Sequence, residues 1–406
     1  MDLHNLQWKG YLRQNGVKGI RNKLLIIYTV KCSSFIAKKI AEKLHCKDID
    51  VVGFDGCYDN EYAVRLLLSL IRHPNVGAVL AVGLGCEYIQ PAQLAQKAKA
   101  TGRLSEWFYI QQHGGTAQSI DYGVSCAQKL LLGLQNTPVV MMNFGDLTVG
   151  AECGGSDYTS GLAGNILVGR FFDMLQEIGG TAIFEEIVEA VGLKKHLVER
   201  AANKEIGKKI SNIYDKAMNY CKSVKQYSIS PGNFTGGISS IEEKSMGAIV
   251  KSGSKPIVGV LKVSEIPSQK GLWLLDSTPD PYWMQFGYTN PNDNEGLIDL
   301  ISCGCQFVFL VTGRGNVVGS AVAPVFKITG NSDTYKRMPD DMDFDASAVL
   351  NGKISEVSES LFKEIYLVCS GKNTKAEELG HKECFIPYKY QAVDLAAKKC
   401  KFNGLP

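Results

Sequence analysis

The chain has 406 residues, 45% hydrophobic and 21% charged, which is enough to bury a substantial core without cross-links. Its 44 basic and 41 acidic side chains leave a formal charge of +3, which argues against a polybasic nucleic-acid or membrane binder. No apolar run approaches the ~20 residues that span a bilayer, and residues 1–5 lack a signal-peptide pattern, so a cytoplasmic location is expected.

Along the chain, short apolar runs alternate with glycine-rich polar turns and amphipathic helical stretches. Lys23 to Val30 reads as a buried strand, followed by Lys31-Cys32-Ser33-Ser34, where a serine is expected to cap a helix ending near Leu44. Val76 to Leu84 leads through Gly85-Cys86-Glu87 into a helix ending near Ala100. Trp107 to Gln112 leads through His113-Gly114-Gly115-Thr116 into a helix over 117–134. Val139 to Phe144 then precedes a loop, 145–157, containing Glu152-Cys153-Gly154-Gly155-Ser156-Asp157. A long amphipathic helix over about 194–223 ends before Ser230-Pro231-Gly232-Asn233, and Pro256 to Val263, Leu272 to Leu275 and Gln306 to Thr312 read as further strands.

This alternation predicts an α/β protein with parallel sheets flanked by helices, Rossmann-like, in two domains over 1–228 and 229–395 with a solvated tail over 396–406. It carries no dinucleotide fingerprint. Gly313 to Gly319 spaces its glycines as GxGxxxG, one residue too long, and no P-loop occurs, so those amides suit a carboxylate better than a nucleotide. The twelve cysteines include no CxxC pair, which argues for free thiols rather than a paired-ligand zinc site.

Ligands of open parallel sheets bind beyond the carboxyl ends of the strands. Six predicted strand-end loops are rich in small and polar residues, so Cys32, Glu87, Gln111, Glu152, Cys153, Asp157, Asp276 and Arg314 are expected to converge on one pocket. Residues 340–345 contain four aspartates, read either as a solvated turn or as hard oxygen donors for a divalent cation. Glu243-Lys244, opening a helix after PGNFTGG, reads either as a helix N-terminal salt pair or as a partner for a substrate carboxylate and its proton.

Taken together, GYLR (10–13), GIRN (19–22), TVKCSS, GLGCE (83–87), Gln111 with Gly114-Gly115-Thr116, ECGGSD, PGNFTGGISSIEEKS, Asp276-Ser277-Thr278-Pro279, TGRGN, Ile328-Thr329-Gly330-Asn331 and DDMDFDAS resemble the altronate/galactarate dehydratase family in its large catalytic region. The loop 276–296 is longer and more aromatic than the DTPG-type loop of the sugar-acid dehydratases, and Ala346-Ser347 stands where the family often has Ala-Gly. The resemblance implies a metal-dependent hydro-lyase that dehydrates a sugar acid to a 2-keto-3-deoxy acid, with Fe2+, or Mn2+ or Mg2+ in its place. Its expected metal ligands are Cys32, Glu87 and Asp343. Its catalytic residues are expected among Glu152, Cys153, Glu243 and Lys244, and its substrate-binding residues among Gln111, Asn233, Thr312, Gly313, Arg314 and Asn331. A small SAF-type subunit and self-association are implied as partners, with no nucleic acid or membrane. The rival expectations are a sulfolactate sulfo-lyase large subunit, an iron–sulfur hydro-lyase using Cys32, Cys86 and Cys153, and a non-catalytic subunit.

Overall fold

A computed structural model describes residues 5–58, 61–227, 229–279 and 292–386. Residues 280–291 of the aromatic loop and the 396–406 tail lie outside the described residues. The chain forms two compact units: one comprises residues 5–10, 141–279 and 292–383, the other residues 11–140 with 384–386.

The smaller unit begins within β1 (Trp8–Leu12), whose residues Tyr11 and Leu12 pair antiparallel with the short β2 (Lys18–Gly19). Four parallel strands follow: β3 (Lys23–Tyr28), β4 (Ile49–Gly53), β5 (Val76–Gly83) and β6 (Leu104–Tyr109), in spatial order β4-β3-β5-β6. All eight residues of β5 are buried, as expected for a strand covered on both faces. Leu24, Ile26, Leu80 and Val82 pack against Ile36, Ile40, Ala127 and Leu130 of the flanking helices Lys31–Leu44 and Thr116–Leu134. No serine side chain caps the first of these helices. Its N-cap is Val30, and the Ser33 hydroxyl donates instead to the carbonyls of Val30 (2.9 Å) and Val82 (3.0 Å).

The larger unit follows β7 (Val139–Met142) and is built on a seven-stranded parallel sheet. Its strands are β8 (Thr148–Cys153), β9 (Thr181–Phe184), β10 (Ile257–Lys262), β11 (Gly271–Asp276), β12 (Phe307–Val311), β13 (Val325–Thr329) and β14 (Phe344–Asp345), in spatial order β10-β11-β9-β8-β12-β13-β14. The division between units therefore falls near residue 140 rather than 228. The long helix Lys204–Val224 lies between β9 and β10 of one sheet, so the turn after it separates nothing. Likewise, residues 148–153 form a strand rather than part of a loop; Val149 to Cys153 are all buried. The core beneath this sheet is aromatic, with Phe171 stacked on Phe362 (centroids 4.3 Å apart) and edge-on to Phe309.

Candidate active site

The chain order reverses between β8 and β12. From β8 it winds one way to β9, β11 and β10, and from β12 the other way to β13 and β14. A switch point of this kind opens a crevice at the carboxyl ends of the strands. The two loops that meet there are Gly154 to Asp157 and Thr312 to Asn316. The amide of Gly154 donates to Val311 O (3.0 Å), and that of Arg314 to Gly155 O (3.0 Å).

Below these loops lies a buried ionic cluster. Glu152, on β8, is 5% exposed and lies beside Glu185, which follows β9 and is 4% exposed; both carboxyls crowd the same side of Gly296. Among the described residues, one oxygen of each, Oε2, has no hydrogen-bond partner. Burial pushes the Glu152 carboxyl well above the ordinary carboxylate range, and Glu185 adds to the shift. Glu186 has φ of 72°, a left-handed conformation unusual for a side chain with a Cβ, and pairs with Lys251, which is fully buried. The Lys244 ammonium binds Glu189 Oε2 at 2.6 Å and donates to Ser156 Oγ at 3.3 Å. Burial opposes its charge, but Glu189, Cys153 and Glu152 outweigh it and raise its pKa. Lys251 is shifted the other way, downward, by burial. The Cys153 thiol is 3.0 Å from Ser156 Oγ and 3.4 Å from Asn165 Nδ2.

Beside this cluster, Asp157, Tyr158, Thr235, Gly236, Gly237, Arg314, Asn331, Thr334 and Arg337 line a cavity of about 590 Å³. Asp157 is locked. Its Oδ1 accepts from Thr159 N (2.8 Å), Thr159 Oγ1 (2.6 Å) and Ser160 N (3.1 Å), and its Oδ2 from Asn331 Nδ2 (3.0 Å). A Cβ on Gly313 would fall on this carboxylate, which explains glycine there.

Among the residues singled out from the sequence, Glu152, Cys153 and Lys244 come together, and Arg314 and Asn331 share the cavity. Asn233 and Thr312 support it from behind: Asn233 Nδ2 donates to Ser156 O (3.0 Å) and Thr312 Oγ1 to Gly155 O (3.4 Å). Asn331 also caps the helix Ser332–Arg337. Glu243 turns away from Lys244 along their helix and accepts from the Ser239 amide and hydroxyl (both 2.7 Å), which hold its pKa down. That geometry suits a cap, not a base.

The expected metal ligands are divided between the units, Cys32 and Glu87 in the smaller and Asp343 in the larger. In the smaller unit Cys32 is exposed at a helix start, while Glu87 Oε1 accepts from Thr29 Oγ1 (2.6 Å) and Leu84 N (3.0 Å) and Oε2 from Gly85 N (2.8 Å) and Cys86 N (2.9 Å). Gln111 also belongs to that unit. In the larger unit the Asp343 oxygens accept the amides of Lys327 (2.7 Å) and Lys375 (2.8 Å). Register places Asp343 one residue before β14, three strands from Glu152, or roughly 14 Å at about 4.8 Å per strand. Among the described residues no group of three or more His, Cys, Asp or Glu side chains is arranged to hold a metal ion. Asp276 is held by Lys216 and by the amide of Thr278.

Sequence reasoning missed Glu185, Glu186, Glu189, Lys251, Asp293 and Arg337. The run TAIFEE carried a usable signal, since two acids close an apolar strand-like stretch (181–186). Asp293, in the first turn of the helix Asp293–Ser302, receives Asn316 Nδ2 at 2.6 Å; burial raises its pKa.

A parallel α/β sheet with a buried acid–lysine cluster at its switch point, beside a cavity carrying two guanidinium groups, has the make-up of an acid–base enzyme for small anionic molecules. Comparison with known proteins makes this specific. Residues 144–392 match the family model described as D-galactarate/altronate dehydratase, C-terminal, and residues 10–135 match D-galactarate dehydratase/altronate hydrolase, second domain. The chain belongs to the altronate/galactarate dehydratase family. It is 33% identical to the altronate dehydratase of Bacillus subtilis, over 94% of this chain and 78% of that one. To the altronate dehydratase of Escherichia coli it is 31% identical, over 93% and 76%. With the (2R)-sulfolactate sulfo-lyase subunit beta of Chromohalobacter salexigens it shares 29% identity over 97% of this chain and all of the relative. Among the described residues, no helix is long and apolar enough to cross a membrane.

Proposed function

We propose that the larger unit dehydrates a sugar acid to a 2-keto-3-deoxy acid, with the Glu152–Glu185 pair moving the protons. The observation that carries this reading is the pair itself: two buried neighbouring carboxyls, of which Glu152 is pushed well up by burial and by Glu185, set among buried lysines. The ionised member takes the proton from C2. The protonated member gives its proton to the departing 3-hydroxyl, so that the C3–O bond breaks and water leaves. The resulting enol takes up a proton at C3 and releases the one on its 2-hydroxyl, becoming the ketone. Removing a proton next to a carboxylate builds a second negative charge on it, and fixed cations in a dry site stabilise that charge better than water does. Lys244 and Lys251 supply those cations.

A carbon–sulfur lyase is the second reading. Two guanidinium groups on the cavity suit a sulfonate as well as a carboxylate, and the same proton abstraction would expel sulfite in place of water. A small SAF-type subunit is proposed as a partner for either reaction. The test is incubation with altronate, galactarate and (2R)-sulfolactate, reading 2-keto acid and sulfite, with and without such a subunit and with Fe2+, Mn2+ or Mg2+ added after EDTA. Keto-acid formation that is lost in Glu152→Gln supports the dehydratase. Sulfite release favours the second reading, and full activity in Glu152→Gln overturns the role given to the pair.

A further inference from the structure

The dehydration drawn above leaves one proton without a donor, the one the enol takes up at C3, and one buried thiol without a task. Cys153 closes β8 directly after Glu152 and is buried like it. The Lys244 ammonium can only donate, so its contact with Ser156 Oγ makes that oxygen the acceptor. The serine's own hydrogen then goes to Cys153 Sγ, 3.0 Å away; among the described residues it has no other acceptor. Reversing that bond would leave an O–H unmet in place of an S–H, which is the weaker donor. Asn165 opens the helix Asn165–Glu177 straight after a π-helical turn, Ser160–Gly164, a feature that gathers at functional sites. Its Nδ2 donates to Cys153 Sγ (3.4 Å) and to Gly247 O (2.8 Å), and the carbonyl partner fixes which end of the amide is nitrogen. The sulfur thus accepts from two sides, and among the described residues its own hydrogen meets no acceptor. When that hydrogen leaves, both donors stay on the thiolate. Asn165 adds an independent sign of a ligand. It is 1% exposed, and its Oδ1, on the amide that touches the sulfur, has no hydrogen-bond partner among the described residues. A buried amide oxygen in want of a donor suits a hydroxyl of a bound molecule.

We propose that Cys153 is the acid that protonates C3 of the enol, with Ser156 and Asn165 holding its sulfur and Asn165 Oδ1 receiving the 2-hydroxyl. The S–H bond breaks, and its proton joins C3 through the electron pair of the C2–C3 double bond. The O–H pair of the 2-hydroxyl becomes the second bond of the ketone, and its proton passes to the thiolate, which restores the thiol. The proposal rests on the lyase reading above and fills a step that reading gives to no residue. Cys153 is a catalytic residue in this step; Ser156 and Asn165 are positioning residues.

Hydrogen exchange at C3 in D2O tests it without dehydration, because an acid that protonates the enol works backwards as the base that removes a C3 hydrogen from the ketone. The probe is the 2-keto-3-deoxy acid that corresponds to altronate, followed by proton NMR. A fixed group reaches one face of the enol, so wild type should exchange one of the two C3 hydrogens. Cys153→Ser should do so ~10²-fold more slowly while melting as wild type does. Ser156→Ala, which takes one donor from the sulfur, should slow exchange about fivefold, and Ser156→Thr should recover it. Exchange by Cys153→Ser at the wild-type rate overturns the proposal, as does exchange of both hydrogens at equal rates, or of neither, by wild type. Unchanged exchange in Ser156→Ala overturns it equally, even where Cys153→Ser does not fold. Keto-acid formation from altronate and galactarate is scored separately. Dehydration by a chain whose exchange ignores Cys153 leaves the lyase reading standing and sinks this proposal alone. Exchange that depends on Cys153, in a chain that dehydrates neither acid, supports the assignment of Cys153 and overturns the lyase reading.

Discussion

Glu152 and Glu185 reach each other from adjacent parallel strands β8 and β9, and Gly296 on the helix above leaves just enough room for both. A Cβ on Gly296 would fall on Glu185 Oε1 and lie 2.8 Å from the Glu152 carboxyl carbon. Burial and the neighbouring carboxyl both raise the Glu152 pKa. Removing the neighbour's charge in Glu185→Gln should lower it, so that Glu152 ionises at lower pH. Because each member of the pair moves one proton in the proposed reaction, Glu152→Gln and Glu185→Gln should each cost ~10²–10⁴-fold in kcat. Full kcat in Glu185→Gln would remove the pair from the mechanism.

Lys244 and Glu189 are both buried and 2.6 Å apart. Lys244→Met leaves the Glu189 carboxylate without its counter-charge and should destabilise the fold by about 3–5 kcal/mol. The double variant Lys244→Met/Glu189→Leu should regain most of that loss in chemical denaturation without regaining activity. Additive losses would show that the two do not act as a pair.

Gly313→Ala places a methyl group on the Asp157 carboxylate and should break its link to Asn331. We expect a loss of about 1–3 kcal/mol, in the range of overpacked sites, with a raised KM because Asn331 and Asp157 both line the cavity. Denaturant titration and kinetics on the one variant check both outcomes.

Burial pushes the Asp343 carboxyl up to about 6 from its ordinary 3.8, although the amides of Lys327 and Lys375 favour the anion. Between those values the folded chain keeps a proton that the unfolded chain has released, so this group's contribution to stability falls as pH rises from about 4 to about 6. Asp343→Asn abolishes the titration, and its Tm relative to wild type should climb over that interval. The change corresponds to at most about 3 kcal/mol. A difference in Tm that is flat between pH 4 and 7 would contradict the shift.

Glu87 closes its own loop by accepting four hydrogen bonds. Glu87→Gln turns an acceptor into a donor facing backbone amides and should cost about 1–3 kcal/mol in the smaller unit. Hydrogen exchange should quicken over 84–87 and leave the sheet of the larger unit unchanged.

The sequence by itself determined the α/β class, because runs such as Val76 to Gly83 and Phe307 to Val311 are apolar at every position, as only strands covered on both faces are. Its glycine-rich strand ends also drew attention to Glu152 and Cys153, which the structure places with Lys244 around Ser156 and its neighbours. Local pattern does not encode which strands become neighbours. That β9 lies beside β8, bringing Glu185 to Glu152, while β14 lies three strands off and keeps Asp343 away, is a matter of sheet order alone. Hydrogen-bond satisfaction is equally invisible in a one-dimensional string: Glu87 and Glu243 look like Glu152 until the amides that occupy the first two are seen. Tertiary packing thus decided which acids are spent on holding the backbone and which are left buried against one another.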